Sequence, residues 1–253
     1  MTRRLAPGTT ELWVVVPAFN EAARIEATLD ALAAQTDLGF TLLVVDNGST
    51  DGTAEAAQRF AVRAPMPVHV IREPEKGVGC AVDTGFRHAI THGARLLART
   101  DADCLPRPDW VAAVRSGFAR GAGMLCGRIS ARRDEHGLLG RAGFRMVVGI
   151  ASTFGRFRPA HRDPAYLVPY RMHAGNNMAI TATLYLASGG MPRRPSPTDR
   201  TFLNRVRRQT TAIHHDRTMV VENSTRRLRA YGLRRTADWY LDRGCGQLTP
   251  DPR

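Results

Sequence analysis

Four short apolar runs in the first 120 residues are each followed by a stretch with the periodicity of a helix. Strands that alternate with helices connect through right-handed crossovers. This order therefore predicts an α/β fold with a mostly parallel sheet and helices on both faces. Asn20 precedes the first helix in the position of an N-cap. The predicted strands are Leu12–Val16, Leu42–Val45, Val68–Ile71 and Ala94–Ala98, and the predicted helices are 22–35, Ala54–Phe60, Gly79–His92 and Val111–Phe118.

Polar residues follow the predicted strands at the points where the strands end. They are Pro17 to Glu21, Asp46, Arg72 to Lys76, and the pair Asp101 and Asp103. In open sheets of this kind, ligands bind in the crevice beyond the carboxyl ends of the strands. The sequence therefore predicts one binding site, to which four separated segments contribute.

The pattern loosens after about residue 120. We divide the chain into an α/β half (1–120), a second half of the same domain (121–225) and a basic helical tail (226–253). Residues 156–171 are rich in Arg, Pro and His and are interpreted as a loop or lid. The other predicted elements are strands at Met124–Ile129 and Met219–Val221, a turn entering a strand at 173–180, and helices at Gly137–Phe154, Ala182–Ser188 and Thr198–Arg208.

The formal net charge of +13 is unevenly distributed. Residues 1–100 carry a net charge of −1 and residues 101–253 carry +14. A field of this kind attracts anionic lipid headgroups, phosphorylated acceptors or nucleic acid. An arginine-rich solvated surface is an equally simple interpretation, because all but one of the basic residues, Lys76, are arginine. Only 7% of residues are aromatic and no nucleic-acid-binding module is recognisable, so no nucleic-acid partner is expected.

The sequence contains no apolar run of the roughly 18 residues that a membrane helix needs and no signal-peptide pattern at its start. The four cysteines, at positions 80, 104, 126 and 245, have neither metal-ligand nor disulfide spacing and are expected to be reduced. We therefore expect a cytoplasmic protein, with peripheral contact to the inner face of the membrane through the basic half.

The acidic residues at the strand ends suit nucleotide chemistry. Asp101 and Asp103 offer the oxygen ligands that Mg²⁺ or Mn²⁺ prefers, and such an ion bridges a diphosphate and neutralises it as it leaves. Asp46 suits a hydrogen bond to a ribose or a base edge. The segment Gly48–Gly52 lacks the spacing of a P-loop, and no dinucleotide-binding glycine pattern follows the first strand.

The ordered set of motifs resembles the family 2 glycosyltransferases, which have the GT-A fold. The motifs are VVVPAFNE, VVDNGSTDGT, KGVGCA and TDAD, followed more faintly by GNNMA, SGG and Thr198-Asp199 to Arg205. The resemblance implies a nucleotide-diphospho-sugar donor. It implies that Pro17, Asn20, Glu21, Asp46 and Lys76 bind this donor. It further implies that Asp101 assists ribose or metal binding and that Asp103 ligates the metal.

In the second half the resemblance implies acceptor contacts at Asn176, Asn177 and Arg205 and a catalytic base at Asp199. The family often has a Glu-Asp pair where Thr198-Asp199 stands here, and the preceding segment is proline-rich. A helix N-cap is the alternative role of Asp199. His214 and His215 are fallback bases or ligands, but surface positions suit them better.

The expected reaction is a single displacement in which Asp199 removes a proton from the acceptor hydroxyl, and the resemblance implies that it proceeds with inversion. The Gln-x-x-Arg-Trp motif of processive synthases does not occur, which favours transfer of a single sugar. The acceptor is expected to be anionic or lipid-linked. Two alternatives stay open: a sugar nucleotidyltransferase, although its glycine-rich basic loop is replaced by Pro17 to Glu21, and a non-catalytic binder of sugar nucleotides or polyanions.

Overall fold

The computed structural model describes residues 11–135, 137–155, 162–193 and 198–226, together with residues 230 and 232. Within these residues the chain forms eight strands and seven helices. The strands are β1 (Leu12–Ala18), β2 (Phe40–Asp46), β3 (Val68–Arg72), β4 (Leu96–Thr100), β5 (Leu105–Pro106), β6 (Met124–Ala131), β7 (Asn177–Thr181) and β8 (Ile213–Asn223). The helices are α1 (Ile25–Ala33), α2 (Thr53–Arg63), α3 (Val78–Thr91), α4 (Trp110–Ala119), α5 (Leu138–Gly155), α6 (Ala182–Ala187) and α7 (Thr198–Val206).

The eight strands form one sheet in the order β3-β2-β1-β4-β7-β6-β8-β5. Strands β1 to β4 are parallel, and the pairs Ala18–Asp46 and Asp46–Arg72 align the carboxyl ends of three of them. Strand β7 runs antiparallel to β4 and β6, whereas β6 and β8 are parallel. The predicted mostly parallel sheet is confirmed; β7 is antiparallel to both of its neighbours, and the two-residue β5 pairs antiparallel with β8.

Helices cover both faces of the sheet, as predicted. Helices α1, α2 and α4 pack on one face around Leu29, Phe60 and Trp110. Helices α3, α6 and α7 pack on the other around Phe86, Tyr185 and Phe202. Strands β1 and β2 are buried along their whole length because both of their faces are covered, which explains their unbroken apolar sequences.

Several element boundaries differ from the prediction. Helix α1 begins at Ile25 instead of residue 22. Asn20 does not cap it, because its side-chain oxygen accepts a hydrogen bond from the amide of Thr50 in the neighbouring loop. Strand β8 begins at Ile213, well before the predicted start at Met219. The prediction missed its first half because those residues are polar and only partly buried. The two-residue strand β5 was not predicted. It pairs with the end of β8 and has no apolar run of its own.

Two predicted segments fall largely outside the described residues. These are 156–161 of the predicted loop or lid, and the basic tail after Arg226 except residues 230 and 232. In the described part of the chain, no helix combines the length and the apolar character needed to cross a membrane.

Candidate active site

The loops that follow β1 and β2 are tied together at the carboxyl edge of the sheet. Asn20 has a left-handed backbone (φ 54°), and its side-chain oxygen accepts a 2.9 Å hydrogen bond from the amide of Thr50. The amide of Glu21 donates to the hydroxyl of Thr53 at 2.8 Å. Asn20 and Glu21 therefore lie beside the second loop, while the nearby Pro17 is buried within β1.

The loop after β3 is fastened to the same place by Lys76. Its ammonium donates to the carbonyls of Asn47 (3.1 Å) and Gly48 (2.8 Å) and lies 3.9 Å from the ring centre of Phe19. The carboxylate of Asp46 accepts from the amides of Gly48 and Ser49 and shapes the turn between them. Three strand ends thus form one continuous floor, as the sequence predicted.

A buried arginine anchors the acidic pair that follows β4. The guanidinium of Arg99 donates to both oxygens of Asp101, at 2.9 and 3.3 Å, although Arg99 lies within the sheet and is only 2% exposed. Burial raises the pKa of the Asp101 carboxyl, and the negative charge of Asp103 adds to this effect, while Arg99 opposes it. Asp101 is therefore held in a fixed orientation by the strand that carries it.

The same guanidinium also holds the candidate base. A third nitrogen of Arg99 donates to Asp199 at 2.9 Å, across one hundred residues of sequence. Asp199 lies in the first turn of α7, which packs on the face of the sheet that Arg99 enters. Arg99 thereby joins the acidic pair at the end of β4 to the carboxylate predicted to take the proton.

The loop before β7 leaves room for Asp199 at Gly175. A methyl group built on Gly175 would come within 2.0 Å of a carboxylate oxygen of Asp199.

The next residue, Asn176, donates to the side chain of Asn223 and to the sulfur of Cys104. Burial, together with the charges of Asp103 and Asp101, raises the pKa of the Cys104 thiol well above its usual range. The thiol therefore stays protonated and donates to Asp103 at 3.3 Å.

Gly175→Ala is expected to reduce activity about 100-fold, because the carboxylate of Asp199 must move by an ångström or more. Gly175 does not have a left-handed backbone, so alanine introduces no backbone strain. The measurement is the rate of donor hydrolysis in Gly175→Ala, in Asp199→Ala and in the double variant. If the clash with Asp199 is the cause, the double variant loses no more than Asp199→Ala alone; fully additive losses would contradict this explanation.

Asn177 and Arg205, predicted to contact the acceptor, have other partners in the structure. The side chain of Asn177 is fully buried; it accepts from the indole of Trp110 and donates to the carbonyls of Arg128 and Met219. It therefore joins three strands and a helix instead of facing a ligand. The guanidinium of Arg205 donates to the carbonyls of Gly189 and Gly190 and holds that turn beside α7.

The segment before α7 is fixed to α3. Arg193 forms ion pairs with Glu73 (3.0 Å) and Glu75 (2.8 Å), which lie in the loop after β3. The carbonyl of Pro192 comes so close to Gly79 that a methyl group there would lie 2.2 Å away. These contacts link the donor-side loop to the start of α7, which carries Asp199.

Sequence analysis missed three residues of this site: Arg99, Gly175 and Arg226. Arg226 donates to both oxygens of Glu21, at 2.7 and 2.8 Å, and lies 3.3 Å from Asp103. A charged residue inside an apolar strand was an available signal for Arg99, since a buried guanidinium needs anionic partners. No comparable signal distinguished Arg226 within its arginine-rich surroundings.

The donor atoms at the acidic pair fit a divalent cation of the magnesium type. Both oxygens of Asp101 accept from Arg99, whereas one oxygen of Asp103 accepts only the weak hydrogen bond of the Cys104 thiol. In the described residues no three His, Cys, Asp or Glu side chains are grouped as a complete metal site. Mg²⁺ commonly binds through one or two carboxylates together with substrate phosphates, so Asp103 with Asp101 is a sufficient protein contribution.

Comparison with known proteins agrees with this geometry. The family model described as "Glycosyl transferase family 2" matches residues 13–176. Glycosyltransferase AglE of Haloferax volcanii is 35% identical over 100 residues, which are 39% of this chain and 32% of that protein. Polyprenol monophosphomannose synthase of Mycolicibacterium smegmatis is 28% identical over 152 residues, which are 59% of this chain and 56% of the synthase. The chain thus spans about a third to somewhat over half of these relatives.

Solved structures share the fold. The mannosyltransferase PcManGT of Pyrobaculum calidifontis, in complex with GDP-Man and Mn²⁺, superposes with a TM-score of 0.63 at 25% identity over 87% of this chain and 59% of that chain. TarS of S. aureus (residues 1–349, in complex with UDP) has the same TM-score at 13% identity over 94% of this chain and 68% of that chain, which reflects the fold alone. With the family model covering most of the sheet, the chain belongs to glycosyl transferase family 2 and has the GT-A fold.

Proposed function

We propose that the protein transfers a single sugar from a nucleotide-diphospho-sugar to an acceptor hydroxyl, with inversion and with the help of Mg²⁺ or Mn²⁺. The observation that carries this proposal is the Arg99 guanidinium, which binds Asp101 of the acidic pair and Asp199 at the same time. A donor diphosphate at the acidic pair would then lie next to a carboxylate able to deprotonate an acceptor. The family membership and the GDP-Man bound to PcManGT support this type of donor.

The donor would bind on the floor formed by the loops after β1, β2 and β3. Asn20 and Lys76 fix the relative positions of these loops, and Asp46 lies between them. Glu21 would contribute through Arg226, which bridges it to Asp103. The guanidinium lies where it would contact a diphosphate next to Asp103, an arrangement that suits bidentate phosphate recognition.

In the transfer step, Asp199 would accept the proton of the attacking hydroxyl as the bond to the anomeric carbon forms. Arg99 donates to one of its oxygens and so holds the carboxylate in place beside the acidic pair. Gly175 provides the space in which this carboxylate lies. Asp101 and Asp103 would hold the divalent cation, whose contribution is to neutralise charge on the departing nucleoside diphosphate. Inversion follows from attack by the acceptor on the face opposite to the leaving group.

The acceptor side is proposed to lie towards β6 to β8, where Asn176 is close to Asp103 through Cys104. The positive charge of residues 101–253 supports an anionic or lipid-linked acceptor, and with it peripheral contact with a membrane surface. Asn177 and Arg205 would support this side from behind, through the strand and the turn that they hold.

The proposal predicts metal-dependent release of nucleoside diphosphate from one member of a panel of UDP-, GDP- and dTDP-sugars. Asp103→Asn is expected to lower this release at least tenfold and to weaken Mn²⁺ binding, measured separately by titration calorimetry in the presence of the nucleoside diphosphate. Asp30→Asn is the matched control, since Asp30 is an exposed carboxylate on α1 that pairs only with Arg63 in the described structure.

Three results would count against the proposal. Donor hydrolysis that continues unchanged in the presence of a chelator would show that the reaction does not need a divalent metal. Tight binding of a nucleotide sugar without any turnover would favour the non-catalytic binder. Formation of a nucleotide sugar from a sugar phosphate and a nucleoside triphosphate would favour the nucleotidyltransferase.

A further inference from the structure

A cavity of about 650 Å³ lies between β6, β8 and the segment that precedes β7. Strands β6 and β8 change register between Gly127 and Arg128, and this irregularity lies at the cavity wall. The volume is within the range of small-molecule sites and exceeds that of one phosphate ion. The residues that line it are Cys126, Gly127, Arg128, Arg171, His215, Asp216 and Arg217.

The charge of this cavity is strongly positive. Arg128, Arg171 and Arg217 form no ion pair within the described part of the chain, although most other arginines there do. The one acid of the lining, Asp216, is already used: it pairs with Arg120 at 2.6 Å and accepts from the amide of Thr218. Among the residues that the structure describes, three guanidinium groups therefore line one cavity, and the carboxylate in that lining is paired with Arg120.

His215 adds a neutral polar group to the same wall. Burial lowers its pKa to about 4, and the nearby charge of Arg171 contributes to this. The imidazole is therefore uncharged at neutral pH and offers one donor and one acceptor. The two histidines of β8, which were predicted as fallback bases or surface residues, thus have different surroundings. His214 is exposed, whereas His215 lines the cavity together with the arginines.

The cavity lies on the acceptor side of the candidate active site. Cys126 pairs with Met178, and Met178 pairs with Arg99, so the cavity wall begins two strands, or about 10 Å, from the arginine that holds Asp199. Cys126 and Phe202 of α7 belong to the same buried cluster, which places the cavity and Asp199 on one face of the sheet. The donor loops lie on the other side of β4, after β1, β2 and β3.

Guanidinium groups match the oxygens of a phosphate because each presents two parallel donors. We propose that this cavity binds a phosphate group of the acceptor and thereby selects phosphorylated acceptors. This inference rests on the proposed sugar transfer, since it assigns the acceptor of that reaction. The phosphate would be held by Arg128, Arg171 and Arg217, and the remainder of the acceptor would extend towards Asp199.

The test is binding of two probes, inorganic phosphate and octyl phosphate, to the full chain by titration calorimetry at 150 mM salt. Octyl glucoside serves as the uncharged probe. We expect octyl phosphate to bind and octyl glucoside not to bind. The variant Arg128→Gln/Arg217→Gln is expected to bind octyl phosphate at least about tenfold more weakly, the loss typical of charge-assisted hydrogen bonds. The matched control is Arg59→Gln/Arg63→Gln, which removes the same charge from exposed positions on α2.

The control identifies non-specific attraction: equal weakening in both double variants would overturn the inference, as would undiminished binding by Arg128→Gln/Arg217→Gln. If inorganic phosphate competes with octyl phosphate, the cavity recognises the phosphate group itself. If octyl glucoside binds as tightly as octyl phosphate, the cavity does not recognise phosphate and the inference is overturned. A wild-type protein that hydrolyses its donor but binds neither phosphate probe overturns this inference alone. One that binds octyl phosphate specifically but hydrolyses no donor overturns the proposed transfer.

Discussion

Replacing Asp199 with asparagine is expected to reduce donor hydrolysis by about 10²–10⁴-fold, the usual contribution of a general base. Asparagine has nearly the same shape, and its carbonyl oxygen accepts the hydrogen bond that Arg99 donates to Asp199. It cannot take up the proton of the attacking hydroxyl. The measurement is the rate of nucleoside-diphosphate release at saturating donor, with water in place of the unidentified acceptor.

The competing role of Asp199 is purely structural: α7 begins at Thr198, so Asp199 is an acid in its first turn and not its N-cap. Loss of one negative charge at a helix N-terminus costs only about 0.3–1 kcal/mol, so a purely structural residue would tolerate this substitution. Asp199→Asn should therefore keep the unfolding transition and the nucleotide affinity of the wild type while its turnover collapses. Retention of a third or more of the wild-type rate would exclude Asp199 as the base. Asp30→Asn again serves as the control for loss of one carboxylate.

Much of the architecture follows from local sequence. The apolar runs of β1 and β2 are buried from end to end, and polar residues begin where these strands end. Asn20, Asp46 and Lys76 could therefore be assigned to one edge before their contacts were known, because parallel strands present their carboxyl ends together. Their hydrogen bonds to one another's loops agree with this.

The features that escaped prediction depend on partners far away in the sequence. Arg99 is an isolated charged residue in an apolar strand, and its sequence neighbours do not indicate a role. Its role depends on Asp199, which α7 brings within hydrogen-bond distance. Asn177 belongs to a polar motif, yet the strands and Trp110 around it absorb every polar atom of its side chain. The first half of β8 is polar because it lies near a surface cavity, so its sequence lacks the apolar signal of a strand.

Arg99→Met is expected to be the most damaging single substitution in the site. The methionine fills most of the space of the arginine stem, but it leaves Asp101 and Asp199 close together without the cation between them. Removing one partner of a buried ion pair costs roughly 3–5 kcal/mol; because about a quarter of each carboxylate's side chain is exposed, we expect about 1–3 kcal/mol here. The measurement is the free energy of unfolding from urea titration.

The same variant should lose about 100-fold or more in donor hydrolysis, because Asp199 is no longer held in place. A stability loss alone could mimic this, so activity is measured well below the unfolding transition and Arg99→Lys is compared. Lysine restores the positive charge, but a single ammonium group cannot reproduce the planar guanidinium, whose separate nitrogens donate to Asp101 and to Asp199. Arg99→Lys should therefore recover most of the stability and only part of the rate. A lysine variant with the full wild-type rate would show that the charge of Arg99 matters and its geometry does not. Equal rates in Arg99→Met and the wild type would remove Arg99 from the mechanism.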